Sequence, residues 1–225
     1  MKKVIMAVTG LIMIGFLLMH MYGNLKMFYQ ADNFAAFDHY AHWLKGKTAD
    51  GGIMYPILPA GTFIWIFRFV LLASVILHIW SAASLSAKTL AQRGDKYANQ
   101  KKKVQTYSSR TMRWGGVIIA AFVIFHLIQF TIVPGSLGAG GSGDQPHRMV
   151  LASFSLWWMV VLYTICMILI VMHIRHGFWS AFATLGGNLS AKSRQLLNVL
   201  AVIVAAVLFV GFMIMPLSVL IGVIS

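Results

Sequence analysis

Five histidines lie within or at the ends of long apolar runs: His20, His78, His126, His173 and His176. An imidazole ring carries two polar nitrogens, and hydrocarbon satisfies neither of them. Ionisable residues in such positions are rare, usually face the interior of a helix bundle and often mark a functional site. Neutral imidazole is also the commonest metal ligand among the side chains. The chemistry that these residues suggest is metal ligation inside a membrane.

The composition places the chain in a membrane. Of its 225 residues, 59% are hydrophobic and only 10% are charged, which no soluble core accommodates. We expect a single integral, all-α membrane domain over residues 1–225. A span needs about 20 apolar residues, and five runs are long enough to cross. The predicted spans are residues 4–22, 62–85, 112–133, 154–174 and 196–220.

Basic residues predict the orientation. Cytoplasmic segments carry an excess of Lys and Arg, and this bias explains the net charge of +13 better than nucleic-acid binding does. An inner N-terminus and an outer C-terminus place most of the basic residues inside. The inner set is Lys2, Lys3, Lys88, Arg93, Lys96, Lys101, Lys102, Lys103, Arg110, Arg113, Arg175, Lys192 and Arg194.

Two outer loops differ in kind. The first contains DNFAAFDHYAHWL, residues 32–44, whose apolar residues recur at helical spacing and predict a short amphipathic helix on the outer interface. The second contains PGSLGAGGSGDQP, a glycine-rich loop with no phosphate-loop lysine. His39 and His42 in the first loop and His147 in the second are all expected near water.

The depths of four span histidines fall into two levels. At 1.5 Å per residue, His20 lies about 24 Å and His126 about 20 Å along spans that run outward. His78 and His173 come late in spans that run inward. His20 and His126 therefore share an outer level, and His78 and His173 share an inner level about 15 Å away.

Two histidines at one depth on bundle helices are what a hexacoordinate haem iron needs as axial ligands. Two such levels predict two b haems stacked across the membrane within the first four spans, close enough for electron transfer. The alternative for any one histidine is a hydrogen bond to a neighbouring helix. Zinc is a weaker alternative, because a tetrahedral site would bring three or four ligands to one level.

Further charged residues lie near these levels. Arg68 is about 9 Å deep in span two, where it pairs with a propionate of the outer haem or extends to the surface. His173 and His176 compete for one ligand position at three-residue spacing. His173 is deeper and is expected to be the ligand. His176 and the neighbouring Arg175 are assigned to an inner-haem propionate, a quinone or a partner subunit.

Five segments in order resemble the cytochrome b558 family, the five-span, dihaem membrane anchors of succinate dehydrogenase and fumarate reductase. They are HMYGNLKMF, FDHYAHWL, FRFVLLASVILHIWSA, TYSSRTMRWGGVIIAAFVIFHL and HIRHGFWSAFATLG, which together cover most of the chain. The resemblance implies a subunit that is not catalytic alone. In that family, electrons from succinate pass through a flavoprotein with FAD and an iron–sulfur subunit on the inner face, then through both haems to a quinone, commonly menaquinone.

The resemblance carries the family's haem ligands over to His20, His78, His126 and His173 and implies a bacterial cytoplasmic membrane. Related fumarate reductases use a membrane glutamate for protons, whereas this chain has no Glu. The basic inner segment KYANQKKKVQTYSSRTMR suits both lipid contact and docking of the iron–sulfur subunit. Asn24, Tyr40 and Trp65 are candidates for an outer quinone pocket, although interfacial aromatic residues are common.

Other functions stay open at this stage. The chain could serve another quinone-linked oxidoreductase of the hydrogenase or formate dehydrogenase type, or be a structural anchor without haem. A transporter is less favoured, since the sequence has no inverted repeats. The sequence leaves open whether the complex forms an oligomer.

Overall fold

The computed structural model describes residues 1–91 and 107–225, without the side chains of residues 31–33, 90 and 107–111. The helices are α1 (Lys2–Leu25), α2 (Ala31–Leu44), α3 (Thr62–Ala91), α4 (Tyr107–Leu127), α5 (Pro146–Phe154), α6 (Trp157–Thr184) and α7 (Ala191–Leu220). Within these ranges the chain contains helices and turns only. The predicted all-α class is confirmed.

Five of these helices are long and apolar enough to cross a membrane, as predicted: α1, α3, α4, α6 and α7. Their ends extend past the predicted spans, and α6 continues ten residues beyond 174. Hydropathy marks only the part of a helix that suits hydrocarbon, whereas backbone hydrogen bonding continues into the polar ends. At the start of α7, Ser190 and Ser193 each accept a backbone N–H bond from the other at 3.0 Å, a capping box that begins the helix at residue 191.

α6 is the central helix of the bundle. It packs against α1, α4 and α7, and 39% of the residues in its most apolar 18-residue stretch are buried. α3 lies at the periphery. Only 6% of the residues in its most apolar 18-residue stretch are buried, and its main contact is with α1. The order of packed neighbours is therefore α3, α1, α6 and α4, with α7 against α1 and α6.

The predicted helix at residues 32–44 is present as α2, and its apolar residues pack on the protein itself. Phe34 and Phe37 are 4% and 8% exposed and join a core with residues of α5, α6 and α7. The amphipathic pattern therefore marks a helix that covers one end of the bundle, the end predicted to be the outer one.

The expectation that His147 lies near water was wrong. The segment after the glycine-rich loop forms α5, which the sequence analysis did not predict, and His147 is only 3% exposed. Its ring stacks on Phe34 at 5.2 Å, and its Nδ1 lies 2.6 Å from Oδ2 of Asp38. Pro146 at the first helical position, followed by apolar residues at helical spacing, was the signal that could have indicated this helix.

Asp38 joins α2 to α5. Its Oδ1 accepts the backbone N–H of His147 at 3.0 Å in the first turn of α5, where a carboxylate also suits the helix dipole. Nearby, Nε2 of His42 lies 3.0 Å from the carbonyl oxygen of Asp144 and thereby connects α2 to the glycine-rich loop. The layer formed by α2 and α5 is thus held by polar contacts as well as by its apolar core.

Replacing Asp38 with Ala should destabilise this outer layer. The change leaves a buried imidazole and a backbone N–H without their acceptor, which costs about 1–3 kcal/mol of unfolding free energy. Chemical denaturation in detergent measures the loss. The control is Asp50→Ala, since Asp50 is exposed. Equal stability of the Asp38 and Asp50 variants would contradict the assigned role.

Candidate haem-binding histidine pairs

His20 and His126 lie beside each other at the outer level. Their ring centroids are 5.8 Å apart and their planes are inclined by 79°. His20 is in the last turns of α1, and His126 is near the end of α4. Four phenylalanines contact this outer pair: Phe16 and Phe212 at 5.3 and 5.7 Å from His20, and Phe122 and Phe130 at 6.0 and 5.2 Å from His126.

His78 of α3 and His173 of α6 form the inner pair. Their ring centroids are 6.2 Å apart, with 59° between the planes. Two glycines flank the pair: a Cβ added at Gly10 would lie 3.4 Å from Cε1 of His78, and one at Gly116 would lie 3.8 Å from Cε1 of His173. The two pairs that the structure brings together are those inferred from depth.

Each pair joins helices that are not packed neighbours. The outer pair connects α1 with α4 and the inner pair connects α3 with α6, and neither helix pair has extensive backbone contact within the described ranges. Both pairs therefore cross the bundle diagonally. Within the described ranges, α3 and α4 also lack close backbone packing against each other. The side of the bundle between α3 and α4 is therefore held less tightly than the other sides.

Two helices give the same axial distance between the pairs. On α1, Gly10 is beside His78 of the inner pair and His20 belongs to the outer pair. On α6, Tyr163 contacts His126 of the outer pair and His173 belongs to the inner pair. Both intervals are ten residues, which correspond to about 15 Å along a helix.

One imidazole of the inner pair is oriented by the backbone. Nδ1 of His78 lies 3.1 Å from the carbonyl oxygen of Met6 and 3.3 Å from Oγ1 of Thr9, which itself donates to the carbonyl of Ile5 at 2.7 Å. A carbonyl can only accept, so Nδ1 carries the proton. Nε2 of His78 then has a lone pair available for a metal.

One imidazole of the outer pair is oriented by a side chain. Nδ1 of His126 lies 3.0 Å from the hydroxyl of Tyr163, and that hydroxyl donates to Oε1 of Gln129 at 2.6 Å. The sequence analysis missed both residues. A glutamine in the apolar third span, and a tyrosine ten residues before His173, were the available signals.

The other two imidazoles are less constrained. Nδ1 of His173 is buried and has no hydrogen-bond partner among the described residues. His20 likewise makes no hydrogen bond to the part of the chain that the structure describes, and its contacts are aromatic. No group of three or more His, Cys, Asp or Glu that could hold a metal occurs in the described ranges.

His173, and not His176, is the residue opposite His78. His176 and Arg175 follow on α6 and are both exposed, whereas His173 is half-buried. The geometry therefore agrees with the choice of His173 as the ligand candidate. The assignment of His176 and Arg175 to a propionate, a quinone or a partner stays a prediction.

Arg68 belongs to a cationic cluster at the outer ends of α2 and α3. Its guanidinium lies 4.8 Å from the ring centroid of Trp65, in cation–π contact. The cluster also contains Lys45 and Lys47. Burial lowers the pKa of Lys45, and the charges of Lys47 and Arg68 lower it further, against the opposing effect of Asp144 and Asp38.

The three residues predicted for a quinone pocket have different surroundings. Tyr40 packs against Tyr22 and Trp43, and burial together with Tyr22 raises its pKa. Trp65 contacts Phe69 and Arg68, and Asn24 is half-buried in α1. An open cavity of about 530 Å³ lies at this end of α1, lined by Tyr22, Leu25, Lys26, Phe28, Tyr29 and Ala36. The quinone pocket stays a prediction.

The basic inner segment falls largely on residues that the structure does not describe. Arg93, Lys96, Lys101, Lys102 and Lys103 lie outside the described ranges, and the side chain of Arg110 is likewise not described. The predictions of lipid contact and subunit docking on this segment therefore lie outside the described residues.

Comparison with known proteins identifies no relative. No protein-family model, curated protein or solved structure matches the chain.

Replacing Arg68 with Leu should raise the pKa of Lys45, because it removes one of the positive charges that disfavour the ammonium form. The pH midpoint for acetylation of Lys45, followed by mass spectrometry, should move upward. Arg148→Leu is the matched control: it removes an equal charge from an exposed arginine of α5. Equal midpoints in the two variants would show that Arg68 does not act on Lys45.

Proposed function

We propose that the chain is the dihaem cytochrome b subunit that anchors a succinate:quinone oxidoreductase in a bacterial cytoplasmic membrane. The outer and inner histidine pairs would each hold one b haem through its iron. Bound haem at each level contributes one-electron transfer at its iron. The observation that carries the proposal is the meeting of four histidines from four spans in two pairs at two levels.

The spacing within each pair suits two ligands on opposite sides of one metal. Imidazole–metal bonds are about 2 Å long. Since a ring nitrogen lies about 1 Å from its ring centre, two imidazoles bound opposite each other have centroids about 6 Å apart. The measured separations are 5.8 and 6.2 Å. Ordinary aromatic pairs also have centroids about 4.5–7 Å apart. The hydrogen bonds and the surroundings of the rings therefore distinguish metal ligands from packed aromatic side chains.

The hydrogen bonds favour ligation through Nε2. His78 and His126 each donate Nδ1–H to an oxygen, which leaves Nε2 unprotonated. Ligating histidines usually make such a bond with their second nitrogen, because it fixes the tautomer and the ring orientation. A hydrogen bond to a neighbouring helix would satisfy Nδ1–H in a packing role as well, whereas ligation also uses the Nε2 that this bond leaves unprotonated.

The surroundings of both pairs suit a large apolar group. The helices that carry each pair are diagonal in the bundle, so a group bound between the rings lies at its centre. Glycines at positions 10 and 116 leave space beside the inner imidazoles, and phenylalanines border the outer ones. Haem propionates need cationic partners, and Arg68 at the outer level and Arg175 with His176 at the inner level supply them.

The partners follow from the resemblance. A flavoprotein with FAD and an iron–sulfur subunit supply electrons at the inner face, and menaquinone or another quinone accepts them near the outer pair. A cytochrome b anchor of a hydrogenase or formate dehydrogenase would use the same histidine pairs. Covalent flavin in the purified complex, with reduction of the haem by succinate, distinguishes the proposed partner from these alternatives.

The deciding measurement is the haem-to-polypeptide ratio of the purified complex together with its reduced-minus-oxidised spectrum. We expect two haems per chain and a b-type α-band. His126→Ala should remove one spectral component and His78→Ala the other, because each variant deletes a ligand of a different level. A haem-free complex, or loss of the same component in both variants, would overturn the two-level assignment.

Gly10→Leu should reduce occupancy of the inner haem and leave the outer haem in place. A Cβ at Gly10 already contacts the His78 ring, so the rest of the leucine side chain must displace the imidazole or enter the space beside it. Gly15→Leu is the control on the same helix, since an added Cβ there meets nothing within 4 Å. The spectral components of both variants are compared after matched purification. Full occupancy of both haems in the Gly10 variant would refute the assignment.

A further inference from the structure

The hydroxyl of Tyr163 lies in a buried chain of hydrogen bonds that ends at His126. Tyr163 is 6% exposed, and Gln129 and Ser153 are fully buried. We propose that Tyr163 is a positioning residue for His126: its hydroxyl fixes the Nδ1–H tautomer of that imidazole and thereby helps to set the midpoint potential of the outer haem site. This inference rests on the proposed function.

The direction of each hydrogen bond follows from Gln129. Its amide Nε2 donates to Oγ of Ser153 at 3.2 Å and approaches the carbonyl oxygen of Leu137 at 3.4 Å. Its Oε1 is therefore the acceptor for the Tyr163 hydroxyl at 2.6 Å. With its proton committed to Gln129, the hydroxyl oxygen can only accept from Nδ1 of His126 at 3.0 Å.

The local fold holds both side chains in place. Gln129 lies in a π-helical segment, Ile128–Ile132, which continues from α4 directly after the turn that carries His126. Such wide turns alter the direction in which side chains leave a helix and are frequent at functional sites. Three phenylalanine rings pack on Tyr163: Phe122 and Phe154 at 5.0 and 4.9 Å and Phe125 at 6.5 Å. The hydroxyl thus has little freedom to move away from His126.

The outer and inner pairs differ in the kind of group that orients the ring. Nδ1 of His78 donates to a backbone carbonyl at 3.1 Å, which no substitution removes directly, and the more distant Oγ1 of Thr9 lies 3.3 Å from the same nitrogen. His126 donates to a side-chain hydroxyl, which Tyr163→Phe removes while the ring remains. Within the described residues, Tyr163 is the side-chain hydroxyl that orients the outer pair, and its effect should be confined to that level.

The sign of the effect follows from the bond. An acceptor at Nδ1–H makes the imidazole a stronger electron donor through Nε2. Greater donation favours the oxidised metal, and hydrogen bonds to axial ligands are one of the means by which proteins adjust haem potentials. Loss of the hydroxyl should therefore raise the midpoint potential of the outer site. Because the Tyr163 hydroxyl donates to Oε1 of Gln129, loss of that amide should make the hydroxyl oxygen a weaker acceptor for His126 and act in the same direction.

The test is a potentiometric titration of the purified complex, following the optical spectrum and the low-spin EPR signals of the two haems. Tyr163→Phe should keep both haems and raise the midpoint potential of the outer haem. The oxidised-to-reduced ratio at a fixed potential should change by at least about threefold, which for one electron corresponds to about 30 mV. The inner midpoint should not move. Tyr55→Phe, which removes a hydroxyl from an exposed tyrosine of the first outer loop, should move neither.

Gln129→Met tests the coupling. As a single substitution it should raise the midpoint potential of the outer haem by less than Tyr163→Phe does. In the double variant it should add little to the shift caused by Tyr163→Phe, because both substitutions interrupt the same chain of hydrogen bonds. If the Gln129 variant does not fold, the midpoint potentials of the Tyr163→Phe variant alone test the inference. An unchanged or lowered outer midpoint, or an equal shift of both haems, would overturn the inference and leave the proposed function intact. A wild-type complex without haem would overturn both.

Discussion

The structure depends on the need to satisfy imidazole nitrogens in a hydrocarbon environment. Each spanning helix hydrogen-bonds its own backbone, so an imidazole within a span must find its partner in another helix or, as a hydroxyl does, on a carbonyl of its own helix. His78 uses a carbonyl of α1, and His126 uses a tyrosine of α6. In both cases one nitrogen is satisfied by the protein, and the ring lies about 6 Å from that of a second histidine. This shared arrangement makes metal ligation the proposed use of the remaining nitrogens.

The central helix, α6, takes part in both levels. It supplies His173 to the inner pair and Tyr163 to the outer pair, ten residues apart, and it packs against α1, α4 and α7. A helix in contact with both levels fixes their separation, because the rise of an α-helix is nearly constant. α3, by contrast, is held mainly by α1 and contributes one histidine. A group bound between α3 and α6 would therefore add contacts to the helix that the chain itself packs least.

The layer formed by α2 and α5 packs on the end of the bundle that carries the outer pair. α2 and α5 are joined by Asp38 and His147 and bury Phe34 in a core that includes Tyr163 and Phe154. The ring packing on Tyr163 is part of this core, and the Tyr163 hydroxyl orients His126. The outer loops are thus continuous with the surroundings of the outer histidines, whereas the inner pair is oriented by α1 alone among the described contacts.

The sequence determined the five spans, the short helix between the first two spans and the grouping of four histidines into two levels. Span length and axial depth depend only on hydropathy and on the regular rise of a helix, and both can be read from residue numbers. Tertiary structure decided the rest: the diagonal crossing of the pairs, the burial of His147 of α5 against α2, and the bonds that Met6, Tyr163 and Gln129 make around the imidazoles. These features depend on how each helix is rotated about its axis and which helix lies beside it. Rotation and neighbour choice result from the packing of several distant segments at once, and no local pattern encodes them.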